Sequence, residues 1–459
     1  MENGQRSPVH EIVIALWRAL HELDSSATTE QIERWGFSIH AALSAAGREF
    51  HNHDHVVDLI SEGDPLEVIA ALYHDAVYIQ VDQGPPRSMR AELSGILAPE
   101  MPSHRRASES DAQIESRVGW IVQPAAAGPV TGDVLAVFGR KVGDVVTPTT
   151  GLNEFASALV AAVQMHEALD REQRIAVVAC IEQTIPFRTD CVRVLHERLA
   201  QLGLAGDTLE QATKRAVRLG NRDVENFSDN DAARFLDNTW KLLPESNPAL
   251  HSPLVYTVRD YRIALQKMEQ FLAWLPPERV FHTWQDEPKP EIHARRVART
   301  AGNLELAVRY LRAKLYSIGL VEAIADITGG DVPLDFFMGG SKATTRAPMR
   351  RIEQFLPQLP PARDLDPPLH KLLAEGRASE SSFDTGPSPL GAFLHATVGE
   401  SEVMKGVDQA RRWWAGAMDA GQFLASQPVK PVAAIARAAA NIIETRRDRL
   451  FALAERLER

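Results

Sequence analysis

The chain has 459 residues, 44% of them hydrophobic and 24% charged, with a formal net charge of −11. That length accommodates two or three domains with substantial cores, and the composition is that of an ordinary globular protein. The acidic balance argues against broad nucleic-acid or anionic-membrane binding, and no run approaches the ~18 apolar residues of a membrane span.

Helical periodicity dominates from the start. Residues 1–11 lack the basic-then-apolar pattern of a signal sequence. Ile12-Val13-Ile14-Ala15-Leu16-Trp17 opens a first helix, and Thr28-Thr29-Glu30-Gln31 is a capping signal for a second, running to about Ala46. Helices follow around 51–62 and 65–79, the latter started by Asp64-Pro65 as N-cap and first residue. Residues 80–150 are punctuated by Gly84-Pro85-Pro86, Pro99, Pro124 and Gly128-Pro129 and read as an irregular insertion, either a lid or oligomer contact or a surface excursion. Helical patterning returns at 153–169. Asp170 caps a helix to Ile185, and segments 189–203, 207–219, 229–242 and 253–275 follow. Windows 291–328, 401–425 and 431–457 also read as helices; Asp286–Pro290 and 357–368 read as linkers, and Gly376–Pro389 as a mobile loop. The expectation is an all-α protein with a metal-binding helical domain over 1–285 and a C-terminal helical region over 286–459. The two cysteines, Cys180 and Cys191, have no metal-ligand spacing and fit reduced thiols in the cytoplasm better than a secreted disulfide framework.

The chemistry concentrates in Arg48-Glu49-Phe50-His51-Asn52-His53-Asp54-His55-Val56 and in Tyr73-His74-Asp75. Divalent metals need imidazole nitrogens and carboxylate oxygens converging on one point. His51 and His55, four apart, share a face if the segment is helical, while His53 points away. A third block is Asn153-Glu154-Phe155-Ala156-Ser157-Ala158. In order and residue type the three blocks resemble the HD superfamily, in particular its small branch of predicted metal-dependent phosphohydrolases.

That resemblance implies a metal held by His55, by the pair His74 and Asp75, and by an aspartate on a later helix. Asp223, in Gly220-Asn221-Arg222-Asp223-Val224, is the candidate for the last position, with Asp229 and Asp231 as fallbacks. His51 is a further candidate ligand or a hydrogen-bonder to one. The local wording departs from the branch's Asp-Ala-Asp-Leu at this point. It departs again where Phe187 replaces an expected histidine after Thr184. A mixed nitrogen and oxygen donor set suits Mn, Fe, Co, Ni or Zn better than Mg or Ca. Glu154 is the candidate general acid/base, with Asp75 sharing that role, and its bland alternative is a carboxylate stabilising a helix start. Arg48 either neutralises a phosphate or forms a structural ion pair. Asn153, Ser157 and Arg188 either contact substrate or cap and pack.

The implied activity is metal-dependent hydrolysis of a nucleotide or other small phosphoester by metal-activated water. Two other classes stay open. One is an HD-type di-iron oxygenase, for which His104, His166 and His196 are available as extra ligands. The other is a non-catalytic regulatory or interaction protein on the same scaffold. The residues after His74-Asp75 are not acidic, which counts against the branch that hydrolyses guanosine polyphosphate alarmones. Gly339-Gly340-Ser341-Lys342 lacks the spacing of a phosphate loop. A homo-oligomer is neither indicated nor excluded, and residues 290–459 match no motif.

Overall fold

The structure, a computed structural model, describes residues 7–101, 114–252, 254–340 and 350–459. Among them the chain is predominantly all-α, 66% helical, with three short strands. No described helix is long and apolar enough to cross a membrane. Two compact units are present: Met1–Phe227 with Pro276–Ala298, and Ser228–Leu275 with Arg299–Arg459. The division is therefore not a single cut at 285. The chain leaves the first unit after Phe227 and returns to it at Pro276, and the Pro290–Gly329 helix starts in one unit and ends in the other.

Local signals explain where the helices of the first unit begin. Pro8–Glu22 starts on a proline; Thr29–Leu43 is opened by a capping box between Thr28 and Gln31. Asp64 caps Pro65–Tyr73 by accepting the N–H groups of Leu66 and Glu67. A capping box of Asp170 and Gln173 opens Arg171–Gln183. Their apolar faces meet in one core that includes Ile12, Leu16, Ile39, Leu72, Phe155 and Ile181, all essentially inaccessible.

The described residues of 80–150 are more than a surface excursion: they include a three-stranded antiparallel sheet, Leu97–Pro99, Trp120–Val122 and Val145–Val146, and a helix, Thr131–Phe138. Leu97, Trp120, Val134, Val137 and Val146 belong to the main core. Pro and Gly punctuation marked the turns correctly but concealed strands of two or three residues, too short to show a period of two. His104 lies outside the described residues.

The Gly206–Asp223 helix is the element that organises the unit, and three contacts set its position. Arg215, Arg218 and Arg222 share one face. Arg215 pairs with Asp64, while Arg218 Nε and Arg222 Nη2 reach the two oxygens of buried Glu67 at 2.7 and 2.6 Å. Gly220 lets the helix approach the end of Arg171–Gln183, since a Cβ there would lie 2.8 Å from the Gln183 carbonyl oxygen. On its other side the returning segment is held by Asn221, which exchanges hydrogen bonds with the backbone of His282 at 2.8 and 2.9 Å, and by the Trp284 indole donating to Glu210 at 3.0 Å. The expected linker Asp286–Pro290 is part of this return, with Arg218 bonded to Glu287.

In the second unit the Gly376–Pro389 stretch, expected as a mobile loop, is pinned. Asp237 accepts the Ser379 hydroxyl at 2.7 Å, Phe383 accepts the Tyr256 hydroxyl at 2.7 Å, and Asp384 is buried among Trp240, Tyr261 and Lys314. Composition signalled a loop; long-range hydrogen bonds to aromatic residues fix it. Trp413 and Trp414 pack, the first stacked on Phe423 and the second under Arg262.

Glu67 is 1% exposed and answers two arginines, of which Arg222 is itself largely buried. Glu67→Ala would leave those charges unanswered. The expected cost is about 3 kcal/mol, the lower end for a broken buried pair because Arg218 is partly exposed. Urea unfolding of the full chain checks this. A midpoint equal to that of the parent protein would mean the clamp does not set helix position.

Candidate metal centre

Each of the three sequence blocks has a distinct structural job. In the first, the helix does not begin at His51. Asn52 is the N-cap of His53–Ile60, its Oδ1 accepting the N–H of Asp54 at 2.9 Å and of His55 at 3.5 Å, while its amide donates to the Glu49 carbonyl at 3.0 Å. His55 thus stands in the first helical turn, and His51 precedes the cap. The expectation that His51 and His55 share a helix face fails because Asn52 starts the helix after His51.

In the second block the helix ends earlier than expected, at Tyr73, and His74 is its C-cap. His74 Nδ1 donates to the Ala71 carbonyl at 2.7 Å, which leaves Nε2 pointing inward. The chain then turns, and the third block holds that turn. Ser157 accepts the Val77 N–H and Asn153 accepts the Ile79 N–H, both at 3.0 Å. These two residues, candidates for substrate contact, are occupied in positioning the segment that follows Asp75.

Four side chains converge. His55 Nε2 lies 3.0 Å from Asp223 Oδ1 and 3.7 Å from Asp75 Oδ2. His74 Nε2 lies 2.9 Å from Asp75 Oδ2 and 3.3 Å from Asp223 Oδ1. Donor atoms of His55, His74 and Asp75 all fall within 4.8 Å of one another. Asp223 is the last residue of the Gly206–Asp223 helix rather than a residue beyond it. Asp229 and Asp231 lie in the other unit, where Asp231 caps the Ala232–Ser246 helix.

Two buried carboxylates in one place repel unless positive charge lies between them. Burial would lower His74, yet Asp75 and Asp223 outweigh it and raise the imidazole well above its ordinary value. Burial would raise Asp75, yet His74, His51 and His55 hold it far below the usual carboxylate range. Burial would raise Asp223, yet the hydrogen bond with His55 and the His74 imidazole 3.3 Å away hold the carboxyl at about 2. Although 2.9 Å apart, His74 Nε2 and Asp75 Oδ2 do not meet in hydrogen-bond geometry, and both are buried without a hydrogen-bond partner. A transition-metal cation fits this donor set of two imidazole nitrogens and two carboxylate oxygens and would satisfy both orphaned atoms.

The remaining candidates are placed as follows. Arg48 is buried and committed: its guanidinium grips Asp82 through Nε and Nη2 at 2.9 and 2.5 Å and donates to the carbonyls of His51 and Asp75. It positions the first two blocks and does not offer a free charge to phosphate. His51 packs edge-on against Tyr78 and His55 and lies near enough to Asp75 to lower its pKa. Arg188 is bound to Glu182 through both terminal nitrogens at 2.6 and 3.0 Å. Glu154 is half-buried in the first turn of Leu152–Gln164. Burial first, then the Asp75 and Asp223 carboxylates, push it up to about 7, with its own backbone and Arg188 opposing. His166 is exposed, and His196 is hydrogen-bonded to Thr213 at 3.0 Å and packed at a tilt against Trp284.

Sequence reasoning missed Asp82, Glu67 and the three arginines. The 3- and 4-residue spacing of Arg215, Arg218 and Arg222 was a legible signal; nothing local marked Asp82 as the partner of Arg48. Comparisons with family models, with curated proteins and with solved structures give no match. The site therefore stands on its residues and geometry.

His74→Ala and Asp75→Ala are expected to abolish tight metal binding with the helical content retained. Asp223→Asn should weaken it by about 10- to 100-fold, and Asp229→Asn should leave it unchanged. Elemental analysis and Mn2+ titration read this. Full occupancy in the His74 and Asp75 variants would remove the metal site.

Metal binding at His74 Nε2 must also displace a proton, because that imidazole titrates above its ordinary value. Affinity is therefore expected to rise with pH by about tenfold per unit below the His74 pKa and to level off above it. Calorimetry in buffers of different ionisation enthalpy should show one proton released. A pH-independent affinity between about 5.5 and 7.5, with no proton release, would contradict the assignment.

Proposed function

We propose that the unit built from Met1–Phe227 and Pro276–Ala298 is a metal-dependent phosphohydrolase of HD type, acting on a small phosphoester such as a nucleotide. The observation that carries this reading is the convergence of His55, His74, Asp75 and Asp223 around two orphaned buried atoms. A divalent ion in that ligand set supplies Lewis acidity to a phosphoryl oxygen and makes a water more acidic.

The chain's own residues do the rest. With neutral imidazoles, the two carboxylates would balance the charge of a divalent ion, so the loaded site would not repel an anionic substrate by excess negative charge. Glu154 is poised near neutrality, so it is present in both protonation states at working pH. Its carboxylate takes a proton as water attacks phosphorus. The phosphorus–oxygen bond to the leaving group then breaks, and the Glu154 carboxyl returns the proton to the leaving oxygen. Arg188, bound to Glu182, favours the charged form of Glu154 from a distance. Arg48 fixes the Asp75 backbone through its carbonyl. Asn153 and Ser157 keep the turn after Asp75 in register with the helix that carries Glu154.

A panel of nucleotides and phosphomonoesters assayed with Mn, Co, Ni, Fe and Zn tests the activity. Glu154→Gln should retain metal and fold but lose at least about a hundredfold in turnover. Near-normal turnover in the fully metallated variant would reject Glu154. Two irons per chain without hydrolysis would move the reading to an oxygenase, and absence of tight metal binding would move it to a regulatory scaffold.

A further inference from the structure

The second unit holds a buried cationic pair beside a cavity. Lys314 lies within the long Pro290–Gly329 helix and is 4% exposed. Its ammonium makes one hydrogen bond among the described residues, to Asp384 Oδ2 at 2.7 Å, and sits over the rings of Trp240 and Tyr261 at 5.0 and 5.6 Å. An ammonium has three N–H groups, so two are left over. Asp384 is fully served without them. Its Oδ2 also accepts the Trp240 indole at 2.9 Å and the Tyr261 hydroxyl at 2.6 Å, and its Oδ1 accepts the Thr385 N–H at 2.9 Å.

A second cation crowds the same carboxylate. The Arg377 side chain is fully buried, with Nη1 3.6 Å from Asp384 Oδ2 and the guanidinium 4.4 Å over Trp240. Its Nε and Nη1 have no hydrogen-bond partner. Two positive charges thus share one negative charge away from water, an arrangement that is costly unless another anion arrives. Burial, with Arg377 adding and Asp384 opposing, lowers the Lys314 ammonium to about 8, which reflects the same shortage of negative charge. Arg351, on the cavity wall, is already paired with Glu353 at 3.1 Å and feels half-exposed Asp335.

Lys314 lines a cavity of about 60 Å3 that opens to solvent. Its other walls carry Tyr256, Leu334, Met338, Phe383 and Leu390, together with Asp335 and Arg351. We propose that this cavity binds a small monocarboxylate with an apolar body. The carboxylate takes the two N–H groups of Lys314 that Asp384 leaves free, and the body lies against Tyr256, Leu334, Met338 and Phe383. Asp335 lines the same cavity and would repel a phosphate dianion more strongly than a singly charged head group. All the residues involved belong to the second unit, so the inference does not depend on the metal centre.

Calorimetric titration of the full chain with benzoate, 3-phenylpropionate, inorganic phosphate and neutral benzamide tests it. The carboxylates are expected to bind, with benzamide and phosphate at least about tenfold weaker, the scale of one charge-assisted hydrogen bond. Lys314→Met should lose carboxylate binding by a similar factor. Because that variant removes a partner of Asp384, Met338→Trp provides a second arm: it fills the cavity, leaves the charges intact and should also abolish binding. Metal content and circular dichroism should be unchanged in both. Absence of carboxylate binding at millimolar concentration to the parent chain, equal binding of benzamide, or parent-like affinity in folded Met338→Trp would each overturn the proposal.

Discussion

The candidate centre depends on one electrostatic constraint: Asp75 and Asp223 place two carboxylates in the same buried space. Neither can stay ionised there without positive charge between them, and His55 and His74 supply it only while they carry protons. The metal ion proposed for this site would have to replace protons at the same atoms. The Ala71 carbonyl makes the choice specific. By taking the Nδ1 proton of His74 it reserves Nε2 for whatever answers the carboxylates. The orphaned state of His74 Nε2 and Asp75 Oδ2 is the structural expression of that unmet need.

Meeting the constraint requires bringing together residues separated by most of the first unit, since His55 and Asp223 are 168 positions apart. The arrangement is mechanical. Asn52 sets the start of the His55 helix, and Asp64 and Pro65 set the start of the helix that ends at His74. The arginine face of Gly206–Asp223 is then locked onto Asp64 and Glu67, so its terminal aspartate falls beside both imidazoles. Arg48 does the equivalent for the loop between the blocks by tying Asp82 to the carbonyls of His51 and Asp75. Charged residues away from the centre thus fix its geometry, and Glu154 enters from the helix that Asn153 and Ser157 bond to the same turn.

The second unit handles buried charge differently. Asp384 collects donors from Trp240, Tyr261, Lys314 and Thr385 and holds a Gly- and Ser-rich stretch in place. In the first unit two carboxylates face two imidazoles; in the second, Lys314 and Arg377 face the single carboxylate of Asp384.

The sequence by itself determined the helical class and most helix starts, because these depend on local chemistry: caps, prolines and a 3.6-residue period. His55, His74, Asp75 and Asp223 were candidates through a family resemblance, and the structure brings the four side chains together. Glu154 was legible as a candidate through the same resemblance. Tertiary structure alone decided that Arg48, Asn153 and Ser157 hold backbone rather than face a ligand, because their partners Asp82, Ile79 and Val77 are chosen by packing. It also decided that residues 80–150 enter the core, that 276–298 return to the first unit, and that Gly376–Pro389 is pinned. Composition describes what a segment can do alone, whereas these outcomes depend on which distant donor or apolar face it meets.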